Sequence, residues 1–143
     1  MTNKFDSYSY LLNRTAARVK SYAQQKFASG EFDVTVDQWL ILKSLNDGRY
    51  LKQKELAEIT GKDMPTLTRI IDLVCKKGLT ERVIHKDDRR SFTVHLTAAG
   101  IAKLDELSPK VSEIRMKAWE NLTDQDYEQL KTILNKIYQN LES

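Results

Sequence analysis

Residues 51–96, LKQKELAEITGKDMPTLTRIIDLVCKKGLTERVIHKDDRRSFTVHL, constrain the fold most, because their hydrophobic period changes once and turn residues sit at each junction. The spacing predicts a short helix over 53–59, with Leu56 and Ile59 on one face and Lys and Glu on the other. Gly61 can supply the positive φ of an abrupt turn. Asp63 is placed to cap a second helix by accepting the free amide hydrogens of its first turn. Pro65 falls inside that turn, where a missing N–H costs little. The second helix carries Leu67, Ile70, Ile71, Val74 and Cys75 as one buried stripe, with Thr66, Thr68, Arg69 and Asp72 largely opposite. Lys76-Lys77-Gly78 ends it with cations near its terminal carbonyls. The period then drops to two. Phe92, Val94 and Leu96 alternate with Thr93 and His95, a half-buried strand. Its hairpin partner is expected over 79–85, and the connecting loop over 86–91. Helix, turn, helix and charged hairpin together make a winged helix-turn-helix, a device that lays one helix in a DNA major groove.

The same residues carry a resemblance. The run from Leu56-Ala57 through Pro65-Thr66-Leu67-Thr68-Arg69, Lys77-Gly78-Leu79 and Glu81-Arg82, to Asp88-Arg89-Arg90-Ser91 and Leu96-Thr97-Ala98-Ala99-Gly100, resembles the MarR family of bacterial and archaeal regulators. The family's wing signature, Asp-x-Arg, matches Asp88 and Arg90, and the likeness extends over the helices on either side.

Charge distribution agrees with this reading. Residues 49–90 hold 11 Lys and Arg against 7 Asp and Glu, whereas residues 91–143 hold 6 against 8. The basic excess coincides with the helix-turn-helix, the footprint that phosphate binding requires. No apolar run approaches a membrane span and no signal-peptide core is present, so a cytoplasmic protein is expected. The single cysteine, Cys75, excludes an intramolecular disulfide. Placed on an apolar stripe, it reads as a small hydrophobe rather than a redox sensor. Oxidant-sensing relatives typically use a cysteine near the N-terminus, which this chain lacks. His85 and His95 flank the wing without a metal-ligand spacing, so no metal and no cofactor are expected. No phosphate loop or nucleophile elbow occurs, and an enzyme is not expected.

The flanking segments are helical. Residues 5–27 lack Gly and Pro and carry Phe5, Tyr8, Leu12, Val19 and Ala23 at helical spacing. Thr35 can cap a helix containing Val36, Trp39, Leu40, Leu42 and Leu45. Thr97 can cap another containing Ile101, Leu104, Leu107, Val111 and Ile114, with a kink or break expected near Ser108 because Pro109 lies inside the pattern. Thr123-Asp124-Gln125-Asp126 opens a last helix carrying Tyr127, Leu130, Ile133, Leu134, Ile137, Tyr138 and Leu141. A winged core cannot cover all of these stripes, and leaving large apolar side chains in water costs roughly 1.5–3 kcal/mol each. The expectation is a mainly α fold with a small β-wing. A winged helix-turn-helix core over 34–97 is flanked by dimerisation helices over 4–28 and 98–142, and two copies pair as a homodimer. The resemblance implies the same arrangement.

Within this frame the candidate DNA contacts are Lys62, Pro65, Thr66, Thr68 and Arg69 around the start of the recognition helix, and Lys86, Arg89 and Arg90 in the wing. Arginine can read guanine in the major groove, threonine offers a hydroxyl and a methyl, and an arginine-bearing hairpin can enter a narrow minor groove. Asp88, repelled by phosphate, is read as orienting a neighbouring arginine. The resemblance further implies a small aromatic or phenolic effector bound between the dimer helices and the winged core. Trp39 and Lys43, one turn apart, suit an aromatic carboxylate, although Trp39 equally fits a core anchor. Tyr8, Tyr10, Arg14, Arg18, Arg115 and Met116 are the other effector candidates. The reading is a repressor of double-stranded operator DNA released by such an effector. A winged helix used for docking another protein is the alternative.

Overall fold

The computed structural model describes residues 4–142, with 88–90 described by their backbone only. Six helices surround a small sheet: α1 (Lys4–Ser29), α2 (Val36–Ser44), β1 (Leu51–Lys52), α3 (Gln53–Thr60), α4 (Met64–Lys76), β2 (Thr80–His85), β3 (Asp88–Leu96), α5 (Ala98–Met116) and α6 (Asp124–Asn140), with a 3-10 turn at Lys117–Trp119.

Side chains three residues apart start four of the helices. Thr35 accepts from the Gln38 amide while the Gln38 side chain accepts from the Thr35 amide, and Thr123 and Asp126 repeat this reciprocal pattern before α6. Asp63 accepts from the Thr66 amide at 2.8 Å before α4, and Thr97 from the Gly100 amide at 3.1 Å before α5. Gly61, at φ +70°, closes α3 in the left-handed region and reverses the chain into α4.

The core has two halves that share α2. On one side Trp39 and Leu42 pack with Phe27, Val34, Leu79, Leu104, Leu107 and Val111, joining α1 and α5. On the other, Ile41 and Leu45 pack with Leu56, Leu67, Ile70, Ile71, Val74 and Val94 beneath the helix-turn-helix and sheet. α2 is therefore a buried pillar, and its buried polar groups are satisfied: Gln38 accepts from Lys77 Nζ at 2.7 Å, and Ser44 donates to the Leu40 carbonyl at 2.7 Å.

Four expectations need correction. First, the sheet has three strands in the order β1-β3-β2, and the two-residue β1, pairing Leu51 with Val94 and Lys52 with Thr93, carries too little pattern to be read from sequence. β3 thus lies in the middle, so Thr93 is buried with Val94 and the simple alternation fails. Second, the wing is longer and its tip shorter than expected: β3 begins at Asp88, which pairs with His85 across a two-residue turn at Lys86 and Asp87. From the Ile84–Phe92 pair to the His85–Asp88 pair, β2 advances one residue and β3 four, so 89–91 form a bulge. Third, of the kink or break expected near Ser108 the break is absent, since α5 runs through Pro109 as one helix. The carbonyl deprived of its partner belongs to Asp105, which like Pro109 is exposed, so water can serve it while Leu107 and Val111 hold the helix down. Fourth, Ile59 is exposed rather than sharing the buried face of Leu56.

Candidate nucleic-acid interface

α4 divides cleanly. Leu67, Ile70, Ile71 and Val74 are buried, while Pro65, Thr68, Arg69 and Asp72 are exposed and Thr66 is half-buried. The exposed positions run along the helix, and Pro65, Thr68 and Arg69 lie toward its N-terminus, where free amides and the helix dipole favour anions. Asp63 occupies one of those amides, that of Thr66; the Thr66 amide and hydroxyl, with the Arg69 charge behind them, hold its carboxyl below the usual range. The Thr68 hydroxyl donates to the Met64 carbonyl at 2.8 Å and accepts from the Gln53 side-chain amide of α3. Its methyl group is therefore the part left for a base edge, and Gln53 emerges as a brace across the two helices. No spacing signal announces that brace, since its partners lie 15 residues apart.

The wing is fastened to this helix at its base. Arg82 of β2 pairs with Asp72 of α4, and its guanidinium lies 5.2 Å from the Phe92 ring centre of β3. His95 stacks on Tyr50 at 4.3 Å between ring centres, and its Nε2 lies 3.2 Å from Glu81. His85 and His95 do not meet across the hairpin, because His95 faces Glu81 and His85 faces Asp88. Among the described residues no group of His, Cys, Asp and Glu could hold a metal ion. Lys86 is exposed in the turn. The side chains of Asp88, Arg89 and Arg90 lie outside the described residues. Cys75 is half-buried, its sulfur 3.0 Å from the Thr80 hydroxyl.

Lys62 departs from expectation. Its side chain is 14% exposed and turns inward to Asp37 of α2, with Nζ 2.9 Å from Oδ1. The same oxygen lies 3.1 Å from Nζ of Lys20 on α1. Partial burial pushes the Asp37 carboxyl up, but the bonds and charges of Lys62 and Lys20 outweigh it, leaving the pKa below the usual carboxylate range. The reason is geometric: Lys62 immediately follows the Gly61 reversal, which aims it back at α2 rather than along the recognition face.

The effector candidates scatter. Trp39 is 2% exposed within the core, so its ring serves packing and not a ligand surface. Lys43, Tyr8, Tyr10, Arg14 and Arg18 are exposed on α2 and α1. Arg115 lines a cleft of about 520 Å³ whose apolar walls include Leu12 and Val19 of α1, Leu40 of α2, and Leu130 and Leu134 of α6. Met116 instead borders a separate cleft of about 740 Å³ with Tyr22, Phe32 and Trp119. No helix among the described residues is long and apolar enough to cross a membrane.

The helix-turn-helix, the braced wing and the exposed start of α4 define a winged helix-turn-helix protein of the DNA-binding regulator class. A sequence profile of the MarR family matches residues 34–92. The multiple antibiotic resistance protein MarR of Escherichia coli K12 is 28% identical over 106 residues, 73% of this chain and 74% of that protein. Over residues 34–92 the chain carries a MarR-family domain, and that family consists of transcriptional regulators rather than enzymes. Among solved structures, a protein of unknown function from Listeria innocua is 34% identical, covering 97% of this chain and 96% of its own, with a TM-score of 0.67. A complex of S. aureus MepR with DNA is 27% identical, covering 94% and 98%, with a TM-score of 0.76.

Proposed function

We propose that the chain is a homodimeric repressor that reads a pseudopalindromic operator, with residues 34–97 as reading head and 4–28 and 98–142 as dimer helices. Each α4 enters a major groove with Pro65, Thr66, the Thr68 methyl and Arg69 toward the base edges. The wing, through Lys86, Arg89 and Arg90, follows the adjacent backbone and minor groove, and Asp88 orients one of its arginines. The observation that carries this reading is the division of α4, whose buried stripe is complete while its N-terminal polar face engages nothing in the core. The likeness to a structure that itself holds DNA supports it. Repression follows from occupancy, since a dimer seated on a promoter excludes other proteins from the same grooves.

The cleft at Arg115 is the place for an effector. Its volume lies within the range that small-molecule sites occupy, and its apolar walls, with Lys20, Lys62 and Arg115 outnumbering the one carboxylate of Asp37, suit an aromatic acid. Because α1, α2 and α6 all contribute, a ligand there touches both the dimer helices and the pillar under the reading head.

Salt-series titrations of wild type, Arg90→Ala and Lys110→Ala on one duplex test the wing. Arg90→Ala is expected to bind more weakly and to flatten the dependence of affinity on salt by about one to two phosphates' worth per dimer. Lys110→Ala is expected to match wild type. Equal affinities and equal slopes for the two variants would remove the wing from the interface.

A further inference from the structure

We propose that Asp37 is a positioning residue for DNA reading, holding Lys62 of the α3–α4 turn and Lys20 of α1 on one carboxylate. The inference rests on the dimeric DNA-reading assignment above and names what fixes the recognition helix against the dimer helix. Three elements distant in sequence converge on Asp37, with Lys62 Nζ at 2.9 Å and Lys20 Nζ at 3.1 Å from its Oδ1. Isolated surface ion pairs contribute little because water screens them and two long side chains must be ordered. Here one partner, Lys62, is already mostly buried, with 14% of its side chain exposed. Lys62 stands between Gly61, which makes the turn, and Asp63, whose carboxylate caps α4. A displacement of Lys62 therefore reaches the first turn of the recognition helix directly, where Pro65, Thr66, Thr68 and Arg69 are presented. At the other end Lys20 lies on α1, the helix that carries the exposed dimer face. Among the described residues no other shared acid joins α1 to the helix-turn-helix by ion pairs. Asp37 itself touches no DNA in this arrangement, and Lys62, spent on Asp37, is not a phosphate contact.

The experiment compares wild type, Asp37→Asn, Lys62→Gln, the double variant and Lys62→Arg on a duplex selected by wild type, over a salt series. Asp37→Asn and Lys62→Gln are each expected to weaken specific binding about fivefold, with the double variant no weaker than the poorer single. Lys62→Arg keeps the charge and is expected to bind within about twofold of wild type, and the salt slopes should stay equal. Two results would overturn the proposal. In one, losses in the double variant simply add. In the other, Asp37→Asn binds like wild type while Lys62→Gln weakens binding and flattens the slope, making Lys62 a phosphate contact. Amide hydrogen exchange of the DNA-free protein is the second arm. Residues 61–66 should exchange faster in Asp37→Asn than in wild type, and unchanged exchange would also overturn the clasp. If wild type selects no duplex, DNA reading fails while the exchange arm still decides whether Asp37 orders the turn.

Discussion

Gly100 is buried where α5 crosses the start of β2, and a methyl group on its Cα would lie 2.0 Å from the Leu79 carbonyl oxygen. That carbonyl also accepts from the Thr97 amide at 3.1 Å, while the Thr97 hydroxyl donates to the Gly78 carbonyl at 2.6 Å. The glycine is thus required by backbone approach and not by a special φ. Gly100→Ala should lower stability by roughly 1–3 kcal/mol, because the obstructing atoms are backbone and cannot rotate away. A urea titration checks this, with an unchanged midpoint as the contrary result. At this scale the sequence is readable wherever chemistry is local. Thr35, Asp63, Thr97 and Thr123 all cap helices through partners three residues on, a relation visible in the letters themselves. Lys62 with Asp37, or Gln53 with Thr68, become neighbours only after the chain folds. That is why Lys62 reads as a DNA contact in sequence and as an ion-pair partner in space.

Among the elements, α6 has the least to hold it. None of its residues is buried, and Ile133, Leu134, Ile137 and Tyr138 stand in water, with Ile133 56% exposed. Its capping box and spacing were fully legible, because a helix announces its apolar face whether or not the partner is on the same chain. α1 repeats the situation with Phe5, Tyr8, Leu11, Leu12 and Val19 exposed. A charge placed in this surface should be tolerated by the fold and not by the pairing. Ile133→Asp is therefore expected to keep wild-type helicity while sedimentation equilibrium moves from twice the chain mass toward 16.6 kDa. A variant that stays dimeric would move the interface off this part of α6. The wing shows the opposite limit of legibility. Its strand β3 was expected, but charged residues at 88–91 look like loop in sequence. Cross-strand pairing and a bulge, set by the partner strand, extend the ladder down to Asp88.

Over the whole molecule, the basic excess lies in the helix-turn-helix and wing, while the longest exposed apolar faces lie on α1 and α6 at the two ends of the chain. α2 links these halves through its two-sided core, so in the proposed dimer, joined at the terminal helices, the separation of the two reading heads would be set through α2. The fold class followed from the order of period changes and turn residues. The lining of the Arg115 cleft did not, because its walls come from five helices whose mutual placement no local pattern encodes. Two recognition helices related by a two-fold axis reach successive major grooves only if their half-sites are centred about one helical turn apart, roughly 10–10.5 base pairs. Selection of bound sequences from a random duplex pool measures this directly. The expected product is a two-fold symmetric sequence with that spacing, and loss of specific binding when five base pairs are inserted at its centre. Enrichment of no sequence, or of a single half-site indifferent to the insertion, would contradict a rigid symmetric dimer that reads DNA.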